Sequence, residues 1–447
     1  MQKYLFKNIQ VVNEGKINFA DVLINGERIE RIASEISVKS KVNEINGEGK
    51  HLFPGIIDDQ VHFRQPGLTH KADIHSESRA AVAGGVTSFM EMPNTIPNAL
   101  TLELLEEKYA IAAETSLANY SFYMGVSNDN CSDVLSVNDH KKNICGVKIF
   151  MGSSTGNMLV NNHATLNRIF SESELLIATH CEDETIIKKN YEALQQSGVE
   201  LQPYHHAIIR DDVACFESSL VAIQFAKKYD SRLHILHIST EKELQLFGNM
   251  LPLKDKRITA EVCVHHLHFT ADDYASLGYK IKCNPAIKAA SNKNALWHAL
   301  LDDRLDVIAT DHAPHLLTEK QPPYQNAHAG LPLVQHGFLL MAKYFHEGKI
   351  PLQKIAEKMS HAVADCFLIK ERGYIREGYY ADLFVTDLAQ PTTVTQSNTL
   401  YKCGWSPFEE KTFPAVILQT MVNGNLVYEN GTINESIRGK RLSFNRD

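Results

Sequence analysis

The chain has 447 residues, 44% of them hydrophobic and 22% charged, with a formal net charge of −8. That length exceeds one typical domain and suits a barrel with an added module, while the acidic balance leaves no basic excess for nucleic acid and no apolar run reaches the roughly 18–20 residues of a membrane span. The first residues, Met-Gln-Lys-Tyr-Leu-Phe-Lys-Asn, lack the apolar stretch of a secretory leader. Eight cysteines without a Cys-x-x-Cys pair fit reduced thiols, so a cytoplasmic location is expected.

Residues 1–53 read as short strands, Ile9–Val12, Ala20–Ile24 and Ile29–Ile32, with Asn25-Gly26 as a hairpin signal. Residues 370–447 mirror them, with strand runs at Ala381–Val385, Ala415–Gln419 and Leu426–Tyr428. Neither end is large enough to bury a core alone. The two are expected to combine into one small β-sandwich module, with the middle of the chain inserted between them.

Residues 54–369 alternate strands and helices. Eight apolar strand runs follow in order: Ile56–Phe63, Val86–Met92, Tyr120–Val126, Ile144–Met151, Leu175–His180, Leu233–Ser239, Ile258–Val264 and Leu305–Asp311. Helical stretches separate them, such as Leu102–Ala113 and Val213–Lys228, the latter behind an Asp211-Asp212 start. This pattern predicts an α/β fold, a (β/α)8 TIM-like barrel; a doubly wound sheet is the structural rival.

The run Pro54–Gly67 departs from an ordinary core strand. Alternation places Asp58, Gln60, His62 and Arg64 on one side of it. Burying such groups unpaired costs roughly 1–3 kcal/mol each, so a solvent-exposed strand end and a ligand site are the two ways out. Later strands favour the site. Lys148 interrupts the fourth run, His180 ends the fifth, His237 lies near the end of the sixth and Asp311 ends the eighth. Taken singly, each has a plain explanation: a hydrogen-bonded structural histidine, a lysine reaching to the rim, an aspartate capping a turn. Together they mark the C-terminal ends of barrel strands, where active sites assemble. Three imidazoles, a carboxylate and a lysine able to become a carbamate suit zinc.

With these motifs the chain resembles the dihydroorotases of the amidohydrolase superfamily along nearly its whole length. The resemblance is carried by Pro54–Asp58 leading to His62-Phe-Arg-Gln-Pro-Gly67, and by Met92-Pro-Asn-Thr95. It is carried also by Lys282-Cys-Asn-Pro-Ala-Ile-Lys288 and Ala309-Thr-Asp-His-Ala-Pro-His315. It implies one or two zinc ions ligated by His62, Lys148, His180, His237 and Asp311, with carboxylated Lys148 bridging if there are two. Arg64 and Asn94 are then expected to recognise the substrate carboxylate, with Asn284 and His315 closing on the rest. A guanidinium fork suits a carboxylate on its own merits. Asp311 is the expected general acid–base.

One position departs from the family pattern: Gln60 stands where a second histidine, two before His62, is usual. A carboxamide ligates zinc weakly. The rival readings are therefore another cyclic amidase of the hydantoinase or allantoinase kind, and a catalytically silent subunit supporting aspartate transcarbamoylase. The expected partner is a small-molecule substrate, with no nucleic acid and no membrane. A homo-oligomer, of which the dimer is the commonest form, is expected. The segment 313–330 after the eighth run is long enough to be a lid, with Thr318 as a contact.

Overall fold

Eight parallel strands follow one another around the middle of the chain: β1 (Ile56–Val61), β2 (Val86–Glu91), β3 (Asn119–Gly125), β4 (Gly146–Met151), β5 (Ile177–Cys181), β6 (Leu233–Ile235), β7 (Ile258–Cys263) and β8 (Val307–Ala309). They belong to a computed structural model that describes residues 2–39, 41–152 and 157–446. Parallel neighbours need long crossovers, which helices supply. The helix Asp212–Tyr229 starts where expected, with the Asp211 carboxylate accepting the Ala214 N–H at 2.9 Å.

The sheet closes. At the end of β1, Val61 bridges His312 in parallel register just past β8, and the His62 N–H donates to the His312 carbonyl at 2.7 Å. That closure sets the doubly wound alternative aside. Asp58 staples the same seam, because its carboxylate accepts both the N–H and the hydroxyl of Thr310.

Two strands are shorter than their apolar runs predict. β6 ends at Ile235 rather than Ser239, and β8 at Ala309 rather than Asp311. The cause lies in the backbone: His237 and Asp311 adopt left-handed φ values of 40° and 48°, which turn the chain out of the ladder.

A second, nine-stranded sheet receives strands from both ends of the chain. Its seam is His51–Pro54, which pairs in parallel with Lys3–Asn13 and antiparallel with Leu383–Asp387. Val22, Ile24, Leu52, Leu383, Val385 and Met421 share its apolar core. The final residues return to the barrel floor. There the Arg446 guanidinium donates to the carbonyls of Ile144, Cys145 and Phe367 at 2.6–3.0 Å.

One buried ion pair sets the mouth of the barrel. Glu91, at the end of β2, lies 2.5 Å from the ammonium of Lys108 on the helix Leu102–Thr115. Its other oxygen accepts the Phe63 N–H at 3.1 Å, one residue beyond His62. Both side chains are at most 1% exposed. Removing one charge strands the other in a dry interior. Lys108→Met is therefore expected to cost about 3–5 kcal/mol in denaturant unfolding, with most of it recovered when Glu91→Gln is added.

Candidate metal centre

The barrel mouth holds a cavity of about 210 Å³. His62, Lys148, His180, His237 and Asp311 all line it, as do Gln60, Arg64, Asn94, Asn284 and His315. Asn284 comes from the loop before the helix Ala290–Leu301, and six different strands or their immediate extensions supply the rest, so only closure of the barrel brings the set together.

Hydrogen bonds fix which ring nitrogens face inward. His62 Nδ1 lies 2.8 Å from the Asn94 carbonyl oxygen, so it carries the proton and Nε2 presents its lone pair to Asp311 Oδ1 at 3.2 Å. His180 Nε2 sits 3.0 Å from the Glu182 carboxylate, which leaves Nδ1 facing His237 Nε2 at 2.9 Å. Glu182 is itself held by Arg210 at 2.5 Å. A carboxylate behind a histidine in this way is a recurrent feature of metal sites.

Burial lowers His62, His180 and His237 below the ordinary imidazole range, so the rings are neutral at neutral pH. A proton on His62 is thus disfavoured as the answer to two lone pairs meeting at Asp311. A divalent cation answers it better: bonds of about 2.0–2.1 Å at tetrahedral angles set neighbouring donors roughly 3.3 Å apart. Burial also depresses Lys148 to about 7. Its amine, 4.5 Å from the Phe150 ring centroid, is fully enclosed. The donor types, and the close approach within each of the two pairs His62–Asp311 and His180–His237, fit a metal.

The opposite wall is cationic. Arg64 is buried, its Nε donating to the Pro314 carbonyl at 3.2 Å. Lys71 donates to His315 Nδ1 at 3.1 Å, which puts the His315 proton on Nε2, 3.1 Å from the Ala329 carbonyl. Arg64 Nη2 faces that same nitrogen at 3.0 Å, so two donors meet there. An anionic ligand relieves this. Glu319 partly offsets the charge, 3.0 Å from Lys71.

Strain is concentrated in the same place. Arg64, His237 and Asp311 have φ values of 68°, 40° and 48°, conformations that cost non-glycine residues of order 1–3 kcal/mol each and gather at functional sites.

Sequence reasoning did not single out Glu182, Lys71 or Glu91. Glu182 had one usable signal, its place two residues after His180 on the same strand face. The loop 313–330 carries a short helical turn, Leu317–Lys320, and the buried Lys320 ammonium donates to three carbonyls, of Lys282, His328 and Gly330, at 2.8–2.9 Å. Thr318 lies exposed on that turn and does not line the cavity, because the turn directs Lys320 inward instead.

Two further compact groups of donors are buried, Asp59 with His234 and Glu261, and Cys263 with His265 and His266. The first is self-compensating. Burial opposes charge on His234, but its contacts with Asp59 and Glu261 outweigh this and raise it to about 9.

Barrel, rim donors and terminal sheet together define an amidohydrolase architecture. Residues 51–427 match the model of the amidohydrolase family, and the chain belongs to that family. A dihydroorotase of Carboxydothermus hydrogenoformans is 34% identical over 94% of this chain and 96% of its own length. An allantoinase of Desulfitobacterium hafniense is 29% identical over 98% of both chains. Among solved structures, the L-hydantoinase of Arthrobacter aurescens superposes with a TM-score of 0.92 at 25% identity, covering 97% of this chain and 98% of that one. Among the described residues no helix is long and apolar enough to cross a membrane.

If Glu182 orients His180, Glu182→Gln is expected to weaken metal retention about 10–100-fold while the far-ultraviolet circular dichroism is unchanged. Competition with a chelator, followed by elemental analysis, measures it; unaltered retention removes Glu182 from the centre.

Proposed function

We propose that this chain is a zinc-dependent dihydroorotase. It hydrolyses the cyclic amide of dihydroorotate reversibly and, in the opposite direction, closes N-carbamoyl-aspartate for pyrimidine biosynthesis. The observation that carries this reading is the buried Arg64 guanidinium facing His315 beside the metal-type donors. A neutral hydantoin or allantoin ring has little use for such a group, whereas a ring carboxylate pairs with it bidentately.

His62, His180, His237 and Asp311 would hold the metal. Lys148 joins them after its neutral amine takes up carbon dioxide: an N–C bond forms, a proton leaves, and the lysine ends in an anionic carbamate. An ordinary lysine near 10.4 is neutral in only about one molecule in 10³ at neutral pH; one held near 7 is neutral in about half. Bound zinc supplies Lewis-acid polarisation of the ring carbonyl and a lowered pKa for water. Arg64 and Asn94 grip the substrate carboxylate, Asn284 and His315 orient the ring, and Asp311 takes a proton at its carboxylate and returns it to the leaving nitrogen. Asn94 has the geometry for both tasks, since its carbonyl oxygen serves His62 and its N–H groups remain.

The allantoinase among the relatives and the hydantoinase fold match favour a second reading, a cyclic amidase without the carboxylate requirement. Dihydroorotate, hydantoin and allantoin assayed side by side decide between them. Dihydroorotate is expected to be turned over best, and Arg64→Met to lower its kcat/KM roughly 10- to 100-fold, the worth of one charge-assisted pair. Preference for allantoin or hydantoin contradicts the proposal. A chain that holds no metal and turns over none of the three would favour the silent-subunit reading. Asp311→Ala is expected to lose about 10²–10⁴-fold or more in kcat.

The Lys148 assignment makes a pH prediction. Its pKa is depressed, so the reactive amine is present above about 7 and is protonated away as pH falls below it. Reloading of stripped protein with zinc is expected to fail progressively below pH 7 and to respond to added bicarbonate. Reloading that is indifferent to both rules the carbamate out.

A further inference from the structure

Tyr324, His206 and Asn284 form one hydrogen-bonded line from the loop after β8 to the cavity wall. We propose that Tyr324 and His206 are positioning residues, which fix the end of the Asn284 side chain that meets the substrate ring. The inference rests on the reading given above, in which Asn284 orients that ring, and extends it to two residues that do not themselves line the cavity.

His206 is buried on the short helix His205–Ile209. Its Nε2 stands 2.9 Å from the Cys283 carbonyl oxygen and 3.0 Å from Asn284 Oδ1, and its Nδ1 stands 2.7 Å from the Tyr324 hydroxyl. A backbone carbonyl can only accept, so the Cys283 contact alone puts a proton on Nε2. Burial and the nearby cations of Arg210 and Lys282 hold the ring well below the ordinary imidazole range, so it carries no second proton. Nδ1 therefore accepts, and the Tyr324 hydroxyl donates to it. Burial also keeps that phenol protonated.

The order of protons settles the orientation of Asn284. An Nε2–H group at hydrogen-bond distance needs an acceptor, so the oxygen of the carboxamide faces His206 and its N–H2 end is turned the other way. Asn284 then offers a donor, which suits the carbonyl oxygen of a cyclic amide.

Lys282 holds Tyr324 by backbone and by ring. Its ammonium donates to the carbonyls of Tyr324 and Ala327 at 2.7 and 2.6 Å, and lies 4.0 Å from the Tyr324 ring centroid. The segment 313–330 is thereby docked two residues before Asn284, so it supports the site from behind as well as beside it. His206 also lies four residues before Arg210, which holds Glu182 behind His180. One short stretch thus braces both the substrate side and the metal side of the cavity.

The test is a double-mutant cycle in the full, metal-loaded chain, on whichever of dihydroorotate, hydantoin and allantoin it turns over best. Tyr324→Phe removes only the hydroxyl and is expected to lower kcat/KM roughly 2- to 10-fold, the worth of one neutral hydrogen bond. His206→Leu should lower it roughly 5- to 100-fold, the range for a buried acceptor left unpaired. His206→Gln keeps a donor and an acceptor and should stay within about threefold of the unmodified chain. In an Asn284→Ala background Tyr324→Phe and His206→Leu are expected to add nothing further. Losses that multiply with Asn284→Ala overturn the proposal, as does a His206→Gln chain as impaired as His206→Leu. The tautomer is read without substrate, by nitrogen NMR of histidine-labelled chain, with the His206 signal identified by its loss in His206→Gln. A neutral ring protonated on Nε2 is expected; a proton on Nδ1 alone overturns the proposal whatever the chain hydrolyses. Non-multiplying losses on hydantoin or allantoin, with dihydroorotate left untouched, would support the positioning and sink the proposed function; multiplying losses on dihydroorotate would do the reverse.

Discussion

The contact on which this molecule turns lies between the first and last barrel strands, where His62 Nε2 and Asp311 Oδ1 stand 3.2 Å apart. With the His62 proton on Nδ1, toward Asn94, Nε2 can donate to Asp311 only if the buried imidazole becomes charged, and burial works against that. The surrounding structure forces them together all the same. Asp58 clamps Thr310, and the His62 N–H is tied to the His312 carbonyl. His312 is committed in turn, its Nε2 facing Glu77 at 2.8 Å and its Nδ1 accepting the Leu333 N–H. The seam that closes the barrel therefore also assembles the candidate cation site.

Around that contact the cavity divides by electrostatics. One wall offers neutral imidazoles, an enclosed amine and a carboxylate, a set that attracts a cation. The other offers Arg64 and Lys71 with His315 between them, a set that attracts an anion. Relatives bearing the names dihydroorotase and allantoinase match nearly the whole chain, so the shared architecture does not by itself separate the substrates. The cationic wall is where discrimination between a charged and an uncharged ring has to arise.

Much of this was legible before any coordinates. Polar side chains at the ends of apolar runs stand out because a barrel strand has no other reason to carry them, and His62, Lys148, His180, His237 and Asp311 all line the one cavity. What escaped were residues whose meaning depends on a distant partner. Lys108 reads as a solvated helix residue until Glu91 is seen against it. Glu182 reads as surface until Arg210, 28 positions later, neutralises it. Strand ends were overrun at β6 and β8 because apolar composition persists where the backbone has already turned left-handed at His237 and Asp311. Loop length alone marks Thr318 as a lid contact, whereas the helical turn that carries it points Lys320 inward instead.

The departure at Gln60 follows the same logic. Within the closed seam a carboxamide keeps Asp311 in position by hydrogen bonding, yet it supplies little ligand strength of its own.

Elemental analysis of the purified chain, coupled to its cyclic-amide hydrolysis, bears most directly on the central claim. The account predicts at least one divalent ion per chain, with metal and activity removed together by chelation and regained together on adding zinc. Hydrolysis that continues undiminished in chain stripped of metal would contradict it.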